Sequence, residues 1–159
     1  MTGSAAERIR VGVADVAVTD AATPLVTSGL GSCVAVGIDD GNGVGGLLHA
    51  MLPDAPEETD TPAKYVDTGI ETMLSELTAL DADPNGFTAK IAGGSSMLDL
   101  GNGAPIGDEN VARTERVLAE AGIDVVARDT GGDAGRTVSF HPTTGTMTIK
   151  RVDEEETTL

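Results

Sequence analysis

The run Cys33-Val34-Ala35-Val36-Gly37-Ile38-Asp39-Asp40-Gly41-Asn42-Gly43-Val44-Gly45-Gly46-Leu47-Leu48-His49-Ala50-Met51-Leu52 places two apolar segments on either side of a short polar spacer. The spacer, residues 39–43, is dense in Asp, Asn and Gly, which tolerate φ > 0, so the unit reads as a β-hairpin. Gly41 is the midpoint of that spacer. Centred there, an antiparallel pairing sets Cys33 opposite His49, on one face, with Cβ atoms roughly 5 Å apart. A register slip of one residue loosens this arrangement but leaves the two as neighbours.

Upstream, residues 9–18 are β-branched with partial alternation and read as one strand. A second extended run covers Pro24 to Thr27, and the glycine-rich passage Ser28-Gly29-Leu30-Gly31-Ser32 leads into Cys33. Downstream, an acidic loop from Asp54 to Asp60 ends in Thr61-Pro62, with Thr61 suited to an N-cap and Pro62 to the first helical position. Val66, Ile70, Met73, Leu74, Leu77 and Leu80 then recur at the interval that buries one helical face. Residues 87–92 read as a strand, followed by the loop Gly93-Gly94-Ser95-Ser96. A second helix is expected from Asp108 to Gly122 with Val111, Leu118 and Ala121 inward, and strands at 123–128, 137–140 and 146–152. Strands outnumber helices and both helices return to strands, so the expectation is a single α+β domain with helices covering one side of the sheets. Its bounds are read as 9–152, after a flexible N-terminus at 1–8 and before an acidic, solvated C-terminal tail at 153–159.

The hairpin carries the chemistry. A thiol beside an imidazole exchanges a proton to give thiolate and imidazolium, which turns a weak nucleophile into a strong one. The glycines before Cys33 let the backbone turn sharply, so the N–H groups of Ser32 and Cys33 can hold the oxyanion of a tetrahedral intermediate. A third polar group usually orients the imidazole, and Thr27 stands at the end of the preceding strand. Against this, a cysteine in an apolar run is more often an inert core residue, and a histidine after Leu47-Leu48 more often a satisfied buried ring. The pairing by register favours the functional reading, because coincidence must explain both. Other chemistries fit less well. Gly29-x-Gly31 is too short for a dinucleotide site, and no nucleophile-elbow glycine follows Cys33. One Cys and two His are too few for a metal centre. His141 precedes Pro142 in a turn and reads as a solvated hairpin end. No cofactor is required.

The segment Thr27-Ser28-Gly29-Leu30-Gly31-Ser32-Cys33-Val34-Ala35-Val36 resembles the signature of the CheD family, the chemoreceptor glutamine deamidases of bacterial and archaeal chemotaxis. The similarity continues through Gly46-Leu47-Leu48-His49-Ala50-Met51-Leu52-Pro53, Lys64-Tyr65-Val66-Asp67 and Ala89-Lys90-Ile91-Ala92-Gly93-Gly94. It runs on in Ile106-Gly107-x-x-Asn110, Asp129-x-Gly131-Gly132-x-x-Gly135-Arg136, Phe140 and Thr144-Gly145, all in family order. The resemblance implies a layered α/β/β sandwich shared with the deamidating cytotoxic necrotizing factor toxins. It implies hydrolysis of glutamine side-chain amides on the cytoplasmic helices of methyl-accepting chemotaxis receptors, giving glutamate and ammonia. By position, Cys33 would be the nucleophile, His49 the general base and Thr27 the third member. It further implies binding to CheC, a phosphatase acting on CheY. Ala92 stands where a bulkier residue, often Phe, precedes the paired glycines, and Ser95 replaces the usual Ala, on the segment assigned to that partner surface. The alternative is a non-catalytic adaptor that docks on receptors or on CheC; methylester hydrolysis at the same receptor sites would use the same acyl chemistry.

The chain has 159 residues and a formal charge of −16, from 26 Asp+Glu against 10 Lys+Arg. So little cationic surface excludes a nucleic-acid binder and disfavours an anionic membrane surface. A balanced mean hydropathy argues against disorder. Only 2% of residues are aromatic, so the core must come from aliphatic side chains and Met. One cysteine permits no internal disulfide and suits a reducing compartment. No run approaches the roughly 18 apolar residues of a membrane span, and the first residues lack the order of a secretory signal, so a cytoplasmic protein is expected. Self-repulsion on this scale is best tolerated in a salt-accumulating cytoplasm, where the screening length falls to roughly 3 Å at molar ionic strength. The melting temperature is therefore expected to rise between low and molar KCl; a salt-independent value would refute this reading.

Overall fold

A computed structural model describes residues 7–96, 105–151 and 154–159. The chain runs β1 (Ile9–Arg10), β2 (Asp15–Thr19), β3 (Leu25–Leu30), β4 (Val34–Asp39), β5 (Gly45–Ala50), α1 (Val66–Ala79), β6 (Thr88–Gly93), α2 (Ile106–Glu120), β7 (Asp124–Thr130), β8 (Arg136–His141), β9 (Thr146–Arg151) and β10 (Thr157–Thr158). These form two mixed five-stranded sheets, a central one in the order β2-β5-β4-β6-β7 and an outer one in the order β1-β3-β8-β9-β10. The β6–β7 and β1–β3 pairs are parallel and the remaining pairs antiparallel. Alternation along the central strands divides their side chains between two cores. Val34, Val36, Ile38, Leu48 and Ile91 face α1 and α2 with Ile70, Met73, Leu77 and Leu118. Ala35, Leu47 and Ala92 face the outer sheet with Leu25, Val138, Phe140, Met147 and Ile149. The result is the expected α+β architecture, layered helix/sheet/sheet.

Four expectations change. The single strand over 9–18 is two strands in different sheets, because the chain turns at 13–14 with Ala14 at a left-handed φ of 61°. The first helix starts at Val66 rather than at Pro62: residues Pro62–Lys64 form a 3₁₀ turn, and Thr61 makes no side-chain cap. Its hydroxyl bonds that of Thr59 instead. In the second helix Ala121 is exposed just past the last turn, whereas the buried positions are Gly107, Asn110, Thr114 and Leu118. Beyond the exposed residues Glu154–Glu156, the sequence-read tail returns as β10 against β9, and Leu159 joins the inter-sheet core.

The hairpin of β4 and β5 forms, with a register shifted from the expected one. Asp39 pairs with Gly45 inside the ladder, and Asp40 N–H donates to Val44 O at 3.0 Å, so the loop is Gly41–Gly43 and its centre is Asn42. The Asp40 carboxylate accepts from the N–H groups of Asn42 and Val44 and fixes this choice. Ala35, not Cys33, therefore stands opposite His49.

The two sheets meet most closely at Gly37. A Cβ there would lie 2.8 Å from Cδ1 of the fully buried Phe140 and 3.0 Å from Cε of Met147. Gly37→Ala is expected to destabilise by about 1–3 kcal/mol through overpacking. Gly12→Ala, at a site with nothing within 4 Å, should shift stability by no more than about 0.5 kcal/mol in denaturant melts.

Candidate active site

The centre lies at the open end of the β4–β5 hairpin, opposite its loop. The ladder closes with Val34 paired to Ala50. Cys33 sits one residue beyond it, half-buried, and packs on the inter-sheet core with Ala35 and Leu47. His49 shares the alternation of Leu47 and points into the same layer, fully buried. The one-residue shift of the loop centre moves Cys33 two positions along from the residue facing His49, and a two-residue step keeps the face. The pair are thus diagonal neighbours, positions typically about 7–8 Å apart.

Thr27 reaches His49 from the other sheet. The Thr27 hydroxyl and His49 Nδ1 lie 2.7 Å apart, and Thr27 is 2% exposed. Thr27 ends the regular β3–β8 register, which is interrupted between Thr27 and Leu30, with Gly29 at φ 74°. This irregularity carries the chain from the outer sheet across to Cys33, just before the middle strand of the central one. Among the described residues His49 Nε2 has no hydrogen-bond partner. The bond sets the tautomer: with the proton on Nδ1 the ring donates to Thr27 Oγ1, and Nε2 presents its lone pair.

Burial pushes the Cys33 thiol above its ordinary range, with a smaller opposing effect from a hydrogen bond to its own backbone N–H. Burial also holds the His49 imidazole below its ordinary value. Both shifts oppose charge and so favour thiol with neutral imidazole over a thiolate–imidazolium pair.

Three further segments hold this end of the sheet. Gly94 N–H donates to Cys33 O at 2.8 Å and Ser95 N–H to Gly31 O at 2.9 Å, which seats the 31–33 segment on the 93–95 turn. Gly93, at φ 103°, lies so close to Cys33 O that a Cβ would fall 2.5 Å from it. Behind that turn, the first turn of α2 approaches backbone to backbone: a Cβ at Gly107 would collide with the carbonyl oxygens of Gly94 and Ser95. The loop after β7 supports the other side, with Gly131 N–H donating to Gly93 O at 3.0 Å and Ser96 N–H to Gly132 O at 2.8 Å. Arg136, 4% exposed, holds that loop through Gly131 O at 2.8 Å and Asp129 Oδ1 at 3.3 Å; Arg151 also pairs with Asp129. Neither Arg136 nor Asn110 was assigned a role from the sequence. Asn110, on α2 and fully buried, donates from Nδ2 to Ser32 O and to Met51 O, both at 2.9 Å. The signal for Asn110 was a polar residue at an inward position of an amphipathic helix, four residues before Thr114. His141 ends β8, half-buried and away from this cluster's hydrogen bonds. Among the described residues no group of three or more His, Cys, Asp or Glu is placed to hold a metal ion.

The CheD family model, described as CheD chemotactic sensory transduction, matches residues 51–151. That span begins just after His49, so the three candidate residues are covered by the relatives rather than by the model. The probable chemoreceptor glutamine deamidase CheD of Haloarcula marismortui is 42% identical over 98% of this chain and 92% of its own length. The protein of the same name from Natronomonas pharaonis is 43% identical over 96% and 93%. The chemoreceptor glutamine deamidase CheD of Thermotoga maritima is 41% identical over 89% and 90%. With a matching family model and relatives this similar along nearly their whole length, the chain belongs to the CheD family.

Proposed function

We propose that this protein is a cytoplasmic chemoreceptor glutamine deamidase in which Cys33 is the nucleophile, His49 the general base and acid, and Thr27 the group that orients the imidazole. The observation that carries the reading is the Thr27–His49 hydrogen bond, which commits Nδ1 and leaves Nε2 without a partner on the face that Cys33 shares. The names of the relatives supply the substrate class, glutamines of chemoreceptors; in this proposal those glutamines lie on the receptors' cytoplasmic helices. Among the described residues no helix is long and apolar enough to cross a membrane.

The resting neutral pair defines the order of events. A glutamine carboxamide enters beside Cys33, and the thiol proton passes to His49 Nε2 as sulfur attacks the carboxamide carbon. The negative charge that develops on the carboxamide oxygen is met by the backbone N–H groups of Ser32 and Cys33. The imidazolium returns its proton to the departing nitrogen, and ammonia leaves a thioester on Cys33. Water then gives a proton to Nε2 and its hydroxyl to the thioester carbon. Collapse of that intermediate yields glutamate and restores the thiol. No step needs a group from outside the chain and its substrate other than water. Binding to CheC belongs to the same proposal; the 92–96 segment carrying the Ala92 and Ser95 departures also seats the nucleophile loop, so a partner on that segment would sit against the site.

Mass spectrometry of receptor cytoplasmic segments incubated in molar KCl should show a gain of about one dalton at specific glutamines, through an acyl-enzyme step. Cys33→Ala should abolish that gain while melting near the wild-type temperature; turnover by the variant would refute the nucleophile, whereas no gain with the wild-type protein would leave the adaptor reading. Thr27→Val should lower kcat by about tenfold, the rate equivalent of one neutral hydrogen bond lost from the transition state. Because burial raises the thiol's pKa, thiolate in the free protein grows only as pH passes above the ordinary cysteine value. Iodoacetamide labelling of Cys33 should therefore climb through the alkaline range; a plateau at neutral pH would mean a preformed thiolate.

A further inference from the structure

The β4–β5 ladder stops one residue short of the nucleophile. After Ala50 the chain leaves β4: Met51 and Leu52 turn their N–H groups to Lys64 O, at 2.8 and 3.1 Å, and Leu52 bridges to Tyr65. On the facing strand Cys33 O is already taken by Gly94 N–H. In the observed register the next cross-strand pair would be Cys33 with Met51, and no rung joins them. What faces the gap is two acceptors, Ser32 O from the nucleophile side and Met51 O from the base side, and two carbonyls cannot bond each other.

Asn110 fills that position. A primary amide is a neutral group with two hydrogens on one nitrogen, and both are used, one on each carbonyl, at 2.9 Å. Serine or threonine would supply one donor and lysine would bring a charge. The carboxamide also carries a cost, since its Oδ1 is buried with no partner among the described residues, and native structures rarely leave such an atom unpaired without a compensating role. Its own backbone is fixed in turn, because Thr114 Oγ1 donates to Asn110 O at 2.7 Å, and α2 sits on the 94–95 turn through Gly107.

We propose that Asn110 is a positioning residue for the deamidation: its carboxamide replaces the missing rung at the open end of the hairpin and so sets the distance and angle between Cys33 and His49. This rests on the Cys33–His49–Thr27 reading. Asn110 touches neither sulfur nor imidazole. It acts through the backbone of Ser32, one residue before the nucleophile, and of Met51, two residues after the base. Because Cys33 and His49 are diagonal rather than directly opposed, the hairpin alone does not fix their approach, and a small misplacement of reacting groups is enough to cost a large factor in rate.

The test compares wild type, Asn110→Ala, Asn110→Asp, His49→Ala and the Asn110→Ala/His49→Ala double variant in molar KCl. Turnover of a receptor cytoplasmic segment is resolved into kcat and KM, and Cys33 labelling by iodoacetamide is followed across pH. Asn110→Ala is expected to lower kcat by about 100-fold with little change in KM. It should slow labelling near neutral pH as His49→Ala does, and the double variant should label no more slowly than His49→Ala alone, because both changes remove the same thiol–base approach. Losses that multiply in the double variant, or a lowered melting temperature with kcat intact, would overturn the proposal. Should the alanine variant fail to fold, the isosteric Asn110→Asp decides: its kcat should fall more steeply than wild type as pH rises, since the ionised form offers no hydrogen to either carbonyl, and a wild-type profile would overturn the clamp. Full turnover by His49→Ala would instead bring down the underlying catalytic reading and the clamp with it, a result distinct from wild-type kcat in Asn110→Ala beside an inactive His49→Ala.

Discussion

One hydrogen bond, between the Thr27 hydroxyl and His49 Nδ1, joins two sheets across an apolar layer. The core of that layer holds Leu25, Leu47, Ala35, Val138 and Phe140, side chains with no polar atom to offer an imidazole. A fully buried histidine in such a place must find a partner or lose on the order of 1–3 kcal/mol for each unsatisfied ring atom. The bond at 2.7 Å satisfies one nitrogen and fixes the ring plane; the second nitrogen has no partner among the described residues. That unpaired atom is a local loss of stability. It is also the only way a base at this depth can be ready to take a proton without first giving up a bond.

Burial decides what state the site rests in. Sulfur and imidazole share a layer of low polarity, and each is pushed toward its uncharged form. A permanent thiolate–imidazolium pair would be the stronger nucleophile, but here its separated charges would have to be held in an aliphatic layer with few dipoles around them. In the proposed mechanism, charge formation is instead coupled to the arrival of an amide that brings its own polar atoms, and to the backbone N–H groups at the sulfur. Such an arrangement favours reaction with a docked carboxamide over reaction with small electrophiles in solution. Under the same proposal, selectivity for particular glutamines follows from which of them can be presented at the open end of the hairpin.

How much of this could be read from residues alone depended on what kind of signal each element carried. The hairpin was legible because turn formers and apolar runs alternate strongly from Cys33 to Leu52. Its register was displaced by two residues, through a one-residue shift of the loop centre, because Asp39 reads as a turn former while it sits in the ladder, and the Asp40 carboxylate, not the glycine midpoint, closes the loop. The strand over 9–18 read as continuous because nothing in its composition announces that Ala14 adopts a left-handed φ and hands the chain from one sheet to the other. Thr27, Cys33 and His49 were singled out by chemistry and spacing, and the face that Cys33 and His49 share survived the register shift because a strand repeats every two residues. Asn110 was missed for the opposite reason. Hydrophobic periodicity looks for apolar residues on the inward face of a helix, and α2 turns Gly107, Asn110 and Thr114 inward.

That polar inward face explains why α2 is built as it is. A helix with Leu or Ile at those positions would bury more apolar area, at about 25 cal/mol per Å², but it could neither approach the 94–95 turn at backbone distance nor place donors on Ser32 and Met51. Gly107 permits the approach, since any side chain would strike the carbonyls of Gly94 and Ser95. Asn110, one turn along, uses the proximity that Gly107 allows. Stability is instead concentrated where the chemistry is absent, in the aliphatic contacts of α1 with β4 and β5. The two helices that cover one sheet therefore do different work: α1 supplies the core, and α2 holds the end of the hairpin where sulfur and imidazole must meet.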